Sequence, residues 1–528
     1  MTGPAVQTVA GEPPPEAAPE GPARWPKGRG ASVLRLLRAE WLFATALLIG
    51  VLLRLCAEYG FRPILWFNDG LEYLGVALRF QAYVVRPDGY SLFLRLLFPF
   101  HSFVLVAAIQ HLMGLGVAVL LYALLRRWRV PRSLATLGVL PQLLDVHQIA
   151  LEHLVLSDTL FTFLLVIAVM LLGWRQAVSP VMAGTAGLVL ALAALTRSVG
   201  LPLVILGGLF LLVRWRGWRP LVAYALLALL PLGSYAAWFH HEHGSYAFDT
   251  ADGVFLYSRV MMFADCAAIK PPANLAILCP GPAQPRWPVS ADYIWHPSPL
   301  DKLPPHLGAN PAPELMFSPQ RNGPALSFAM DAIESQPLSY LRVGMQDFAR
   351  SFGWSRQPYP SPVVMGAYSF SRTPLMINPN QLYVPSFRAG HDMKRYEHGN
   401  AETRVVDPYA GWLISMQRFL FIPGTVLAAL LAVGLAGLVF RRRDDRRWLV
   451  LLLWTTALAL LLVPPFTAEF DYRYVMPAMP LAGAAAALAA AILVPRWSSR
   501  PEDGSAAAAE TTAQAAARLA PKHRRDGP

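Results

Sequence analysis

The stretch Trp66-Phe67-Asn68-Asp69-Gly70-Leu71-Glu72-Tyr73 sets two carboxylates just past the first long apolar run of the chain. A carboxylate at the centre of a bilayer costs about 2.5–3.5 kcal/mol or more, so the chain must have left the membrane by Asn68. Asp69 and Glu72 are three residues apart and share one face of a short helix starting near Asn68. Leu71, Leu74, Val76, Leu78 and Phe80 suit that helix to lie in the interface. Arg86-Pro87-Asp88-Gly89-Tyr90 then makes the turn that returns the chain to the next apolar run.

Composition fixes the class. Of the 528 residues 55% are apolar and only 15% charged, against about 25% charged in a soluble domain, so this is an all-α polytopic membrane protein. The net charge of +12 raises the question of nucleic acid. The arginines, however, lie in short runs between apolar stretches, as membrane topology requires, and no nucleic-acid partner is expected. About ten spanning helices are predicted, near 40–57, 103–125, 133–149, 159–174, 181–196, 199–213, 220–239, 417–440, 448–464 and 474–494. Asp145, His147, Glu152, His153 and Asp158 interrupt the run from Ser133 to Trp174 and divide it in two. Arg197 divides the run from Val181 to Val213 in the same way. With ten helices, the runs Arg126-Arg127-Trp128-Arg129, Arg214-Trp215-Arg216 and Arg441-Arg442-Arg443 all fall on the cytoplasmic side.

This count divides the chain into a disordered cytoplasmic tail (1–39), a membrane core (40–239) with its first outer loop at 58–102, an outer region (240–416), C-terminal spans (417–497) and a second cytoplasmic tail (498–528). Both termini are cytoplasmic, and the protein belongs in the cell membrane among its lipids. The outer region is rich in Pro, Trp and Tyr and too long to be a connector. Helical periodicity runs there from Leu326 to Phe352, broken at Pro337. No internal repeat of the kind found in transporters is visible. Cys266 and Cys279 lie in this region and can form a disulfide in an oxidising compartment; Cys56 lies in the first apolar run. No metal site emerges, since a zinc site needs about four ligands at short spacing; acids are plentiful enough to hold a divalent metal, but none is assigned.

Four separated segments supply polar groups to the outer face: Asp69 and Glu72; Glu152, His153 and Asp158; Thr196-Arg197; and Glu469, Asp471 and Arg473. Each has a plain alternative. Asp158 can be a helix cap, Arg197 and Arg473 can reach lipid phosphates, and His153, Asp145 and His147 can be satisfied interfacial groups, a reading that suits the last two best. Taken together they form a polar cleft roofed by the long outer region.

These motifs resemble those of the GT-C superfamily of polyprenyl-phosphate-sugar-dependent membrane glycosyltransferases. Asn68-Asp69-x-x-Glu72-Tyr73 is similar to the acidic first-loop motif. Arg86-Pro87-Asp88-Gly89-Tyr90-Ser91-Leu92-Phe93 resembles the turn before the second helix, and Glu152 to Phe163 the acidic approach to the fourth. Leu195-Thr196-Arg197 and Asp471-Tyr472-Arg473-Tyr474-Val475-Met476-Pro477 resemble the threonine-arginine and arginine-tyrosine-proline turns. The likeness is greatest to the protein mannosyltransferase and lipid A aminoarabinose transferase type, over roughly 40–260 and 465–495. Many of those proteins carry adjacent acids in the first loop, whereas Gly70 and Leu71 intervene here.

The resemblance implies transfer of a sugar from a polyprenyl-phosphate donor to an acceptor hydroxyl on a protein, lipid or envelope glycan, on the extracytoplasmic face. Asp69 would be the general base, assisted by Glu72 and Asp158. Arg197, Arg473 and, to a lesser extent, His153 would bind the donor phosphate. A lipid-linked polysaccharide polymerase or ligase and a transporter or flippase are the alternatives; for a transporter, charges should sit at mid-helix rather than gather at one face.

Overall fold

The computed structural model describes residues 39–494, except 216, 282–285, 306–312, 376, 379–387 and 441–443. Apart from residue 39, the two expected tails lie outside the described residues. The fold is helical, with a single two-residue antiparallel pair among the described residues, Phe61–Arg62 against Arg404–Val405. Each of the ten expected segments is helical. Five helices are long and apolar enough to cross a membrane: Trp41–Gly60, Phe103–Arg127, Trp218–His243, Arg447–Thr467 and Tyr472–Leu493. The chain is therefore a multi-pass membrane protein.

A sixth candidate is the pair Arg132–Leu144 and Val146–Glu152, bent by 55° at Asp145. The Asp145 side chain accepts from the His147 amide at 2.9 Å and so caps the second half. Four of the expected spans are shorter than full length: Asp158–Gly173, Pro180–Thr196, Gly200–Val213 and Gly424–Phe440. Local chemistry bounds two of them. Arg197 adopts an extended conformation after Thr196, and Pro423 precedes the helix that the apolar pattern begins at 417.

The helix ends separate into two polar layers. At one, Glu40 accepts from Arg132 at 3.1 Å, and Arg126 lies 3.8 Å from the same carboxylate. Trp128 there donates to the Gly173 carbonyl, and Arg214 to that of Gln176. At the other, the first outer loop meets the turns near 153–158, 196–200 and 468–473. Leu65 donates to the His153 carbonyl at 2.9 Å, and Val155 to that of Leu65 at 3.3 Å.

The region expected outside, 240–416, packs against the second layer, where Tyr340 donates to the Phe466 carbonyl at 2.8 Å. Its expected helical stretch is a pair, Pro319–Ser335 and Pro337–Arg350, broken where Pro337 starts the second helix. The Asn68–Arg79 helix starts where expected but does not lie open at the interface: every residue from Gly70 to Leu78 is buried. The helix Ala389–Glu397 packs on it, pinned by Arg79 on Asp392 at 2.8 and 3.0 Å. Cys266 and Cys279 form a disulfide within the outer region.

Candidate active site

Two glycines bring the first outer loop into place. A Cβ on Gly70 would lie 2.6 Å from the Val155 carbonyl oxygen, and one on Gly89 would lie 2.6 Å from that of Leu195. At both points only glycine allows the backbones to touch. Asp69 is thereby held beside the 153–158 turn, and the Arg86–Gly89 turn beside Thr196-Arg197. The Tyr73 hydroxyl adds a bond to Ser157 at 3.0 Å.

The Asp69 carboxylate is the centre of the cluster. One of its oxygens, Oδ2, lies 2.8 Å from Arg86 and 2.8 Å from Arg473. Arg86 also reaches Glu72 at 2.9 Å and lies over the Tyr73 ring. Burial works against the charged form of Asp69, but Arg86 and Arg473 outweigh it and hold the carboxyl below its ordinary range.

Arg473 is further enclosed by the rings of Phe67, Tyr368 and Tyr474 at 5.2, 5.7 and 5.1 Å, and Asp471 lies 3.6 Å away. The Asp471 carboxyl is pushed up to about 6, chiefly by burial, with Arg473 opposing. It also accepts from the Tyr368 hydroxyl at 2.9 Å.

Arg197 arrives from the other arginine turn. It pairs with Asp158 and lies over the Tyr474 ring at 5.0 Å. The two expected phosphate-binding arginines therefore meet at one tyrosine ring. Asp158 is not the cap of its helix but its first residue, after Ser157, and its carboxylate turns to Arg197. Asp69, Glu72, Asp158, Arg197 and Arg473 thus gather in one place.

His153 does not join them. It is fully buried, with Nε2 2.6 Å from the Phe61 carbonyl and Nδ1 3.0 Å from His111. Both ring nitrogens are thus engaged, which corrects its expected place beside a donor phosphate. Glu469 stands apart as well: it accepts from Ser290 and Ala291 and is pushed up to about 8, chiefly by burial. Asp145 is satisfied by His147, the Ile422 amide and Arg356.

Three residues of the cluster carry no functional expectation from sequence. Arg86 stood in the quoted turn but read only as turn chemistry. Tyr474 lay in the arginine-tyrosine turn without an assigned part. Arg356 comes from the outer region, where no pattern marks it, and reaches Asp145 at 3.2 Å. It lines a small pocket with Leu151, Met365 and Met476 and with the polar His147, Tyr368, Tyr472 and Arg473. Two guanidinium groups at one pocket suit it to an anionic group such as a phosphate.

No protein-family model matches the chain, and no curated protein matches it. Among solved structures it is similar to the Archaeoglobus fulgidus oligosaccharyltransferase. The apo form is 13% identical, with a TM-score of 0.40, covering 91% of this chain and 53% of that one. The same enzyme in complex with an inhibitory peptide and a dolichol-phosphate is 14% identical, with a TM-score of 0.39, covering 94% and 53%. ArnT from Cupriavidus metallidurans bound to undecaprenyl phosphate is 14% identical, with a TM-score of 0.30, covering 94% and 82%. The chain spans about half the length of the oligosaccharyltransferase chains it matches. Each of these matches covers more than nine-tenths of this chain.

Proposed function

We propose that the protein is a membrane glycosyltransferase that moves a sugar from a polyprenyl-phosphate donor to an acceptor hydroxyl on the extracytoplasmic face. The observation that carries this reading is the Asp69 clamp: a partly buried carboxylate between Arg86 and Arg473, with Arg197 sharing the Tyr474 ring.

In the reaction, the acceptor oxygen attacks C1 of the sugar and the C1–O bond to the phosphate breaks. The acceptor proton goes to Asp69 and the electron pair leaves with the phosphate. A single displacement inverts the anomeric centre. Arg473 and Arg197 neutralise the charge that develops on the leaving phosphate. While both guanidinium groups hold it, Asp69 is a weak base. An arriving phosphate competes for Arg473, and as that arginine shifts its hydrogen bonds Asp69 becomes more basic. The base is thus strengthened by the donor on which it acts. Glu72 keeps Arg86 in position, and Asp158 does the same for Arg197.

The positive-inside rule supports ten spans, with the Glu40–Arg132 layer cytoplasmic and the Asp69 layer outside. The division into core, outer roof and C-terminal spans follows from that orientation. Incubating the purified protein with a panel of labelled polyprenyl-phosphate sugars tests the reading. Release of polyprenyl phosphate with transfer of the label from one of them is expected. Transport of an intact lipid-linked sugar across a vesicle membrane, without cleavage, would contradict it.

A further inference from the structure

A second polar centre lies behind the first outer loop and takes no part in the chemistry above. Glu58 stands in the last turn of the Trp41–Gly60 helix, His111 within Phe103–Arg127, and His153 just after Val146–Glu152. One potential ligand atom from each lies within 4.8 Å of the others. His111 and His153 are 4% and 0% exposed. Both Glu58 oxygens are shielded from solvent, and neither has a hydrogen-bond partner among the described residues. Leaving a buried carboxylate unpartnered costs several kcal/mol.

Proton counting along the two imidazoles points to what is missing. His153 Nε2 faces the Phe61 carbonyl at 2.6 Å, and His111 Nδ1 faces a Glu152 carboxylate oxygen at 3.1 Å. Both partners act here as acceptors: the Phe61 carbonyl can only accept, and both Glu152 oxygens already accept from Arg54 at 2.7 and 2.7 Å. Each outer nitrogen must therefore carry a hydrogen. Two neutral imidazoles have no further proton to give. The inner nitrogens, His153 Nδ1 and His111 Nε2, nevertheless face each other at 3.0 Å. Two lone pairs at that distance repel unless a positive centre lies between or beside them.

We propose that Glu58, His111 and His153 bind a divalent transition-metal ion of the zinc class. A tetrahedral zinc ion with bonds of about 2.0–2.1 Å sets two nitrogen ligands about 3.3 Å apart, close to the observed separation. The outer nitrogens are already arranged as ligating histidines require: each donates its remaining N–H to a carbonyl or carboxylate, which fixes the tautomer. Glu58 supplies the anionic ligand, and closing the triad takes a small rotation of its flexible side chain. Three protein ligands leave one position for water. Glu152 is neutralised by Arg54, and Glu58 offsets half of the ion's charge, leaving one positive charge at the site. The ion would tie three segments together at the point where the His153 carbonyl accepts from Leu65, just behind the loop that carries Asp69.

The test uses the full chain, purified in detergent without chelators, dialysed against zinc and then against zinc-free buffer. Elemental analysis should find about one zinc ion per chain. Glu58→Gln, His111→Ala and His153→Ala should each lower zinc affinity at least about tenfold, whereas His243→Ala and Asp69→Asn should retain the ion. Retention by Asp69→Asn separates this site from the glycosyltransferase reading. Because the histidine variants can fail to fold, cobalt is also added to the unaltered protein. Intense visible bands of four-coordinate cobalt are expected. A wild-type chain that retains no zinc and gives only the weak spectrum of hydrated cobalt would overturn the proposal and leave a shared proton between the two imidazoles. Zinc retained equally by folded Glu58→Gln and His111→Ala would overturn it too.

Discussion

In the proposed reaction Arg473 links the base to the phosphate, and the consequences of replacing it by Gln can be worked from its contacts. The guanidinium meets Asp69 at 2.8 Å and Asp471 at 3.6 Å. Breaking an isolated buried pair costs about 3–5 kcal/mol. Here neither carboxylate is stranded: Asp69 keeps Arg86 at 2.8 Å, and Asp471 keeps the Tyr368 hydroxyl at 2.9 Å. The stability loss should therefore be smaller, about 1–3 kcal/mol. Phosphate binding should suffer more clearly. A hydrogen bond to a charged group contributes about 1.5–3 kcal/mol, so losing one weakens polyprenyl-phosphate binding by roughly 10- to 100-fold. Arg473→Lys should recover only part of this, because an ammonium keeps the charge but not the planar fork. The assay is titration of a labelled polyprenyl phosphate into protein held in lipid nanodiscs, with thermal unfolding measured in parallel. Unchanged affinity in a folded Arg473→Gln variant would refute the assignment of this arginine to the phosphate.

Other perturbations give separate readouts. The Glu469 carboxyl lies at about 8 in the folded protein against an ordinary 4.5; its protonation therefore stabilises the fold fully below pH 4.5, and that contribution is lost as pH rises through about 8. Glu469→Gln keeps an acceptor for Ser290 and Ala291 and stays neutral, so its thermal midpoint should exceed that of the wild type above about pH 8; the same alkaline decline in both would contradict this. Gly70→Ala would push a Cβ to 2.6 Å from the Val155 carbonyl, and should cost about 1–3 kcal/mol and displace Asp69; full activity with unaltered stability would show that the close approach is not needed. Replacing both Cys266 and Cys279 by Ser opens a link of sequence separation 13 and should cost about 2–3 kcal/mol, read as a lower thermal midpoint under non-reducing conditions.

The apolar periodicity located all ten helical segments, because burial in lipid and burial in protein select the same residue types. It overstated the length of one segment, expected from 417, whose helix starts only at Gly424, after Pro423. The arginine turns and the first-loop acids were legible because each lies at the end of an apolar run, where a charge is conspicuous. Their convergence was not: Arg473 and Asp69 are 404 residues apart, and no local pattern encodes that contact. Arg356 was hidden because the outer region is polar throughout and one arginine among many carries no signal. His153 was misread for the opposite reason. Its neighbour in the sequence, Glu152, suggested an exposed acid-histidine turn, whereas that carboxylate points inward to Arg54. Glu58 and His111 lie inside or at the edge of apolar helices, too far from His153 in sequence to form a ligand motif.

The most direct measurement of the central claim is the rate of sugar transfer by Asp69→Asn beside the wild-type protein, with the labelled donor that the wild type uses. Asparagine fits between Arg86 and Arg473 but cannot take the acceptor proton, so turnover should fall by about 10²- to 10⁴-fold while donor binding persists. Turnover within a few-fold of wild type would mean that Asp69 is not the base.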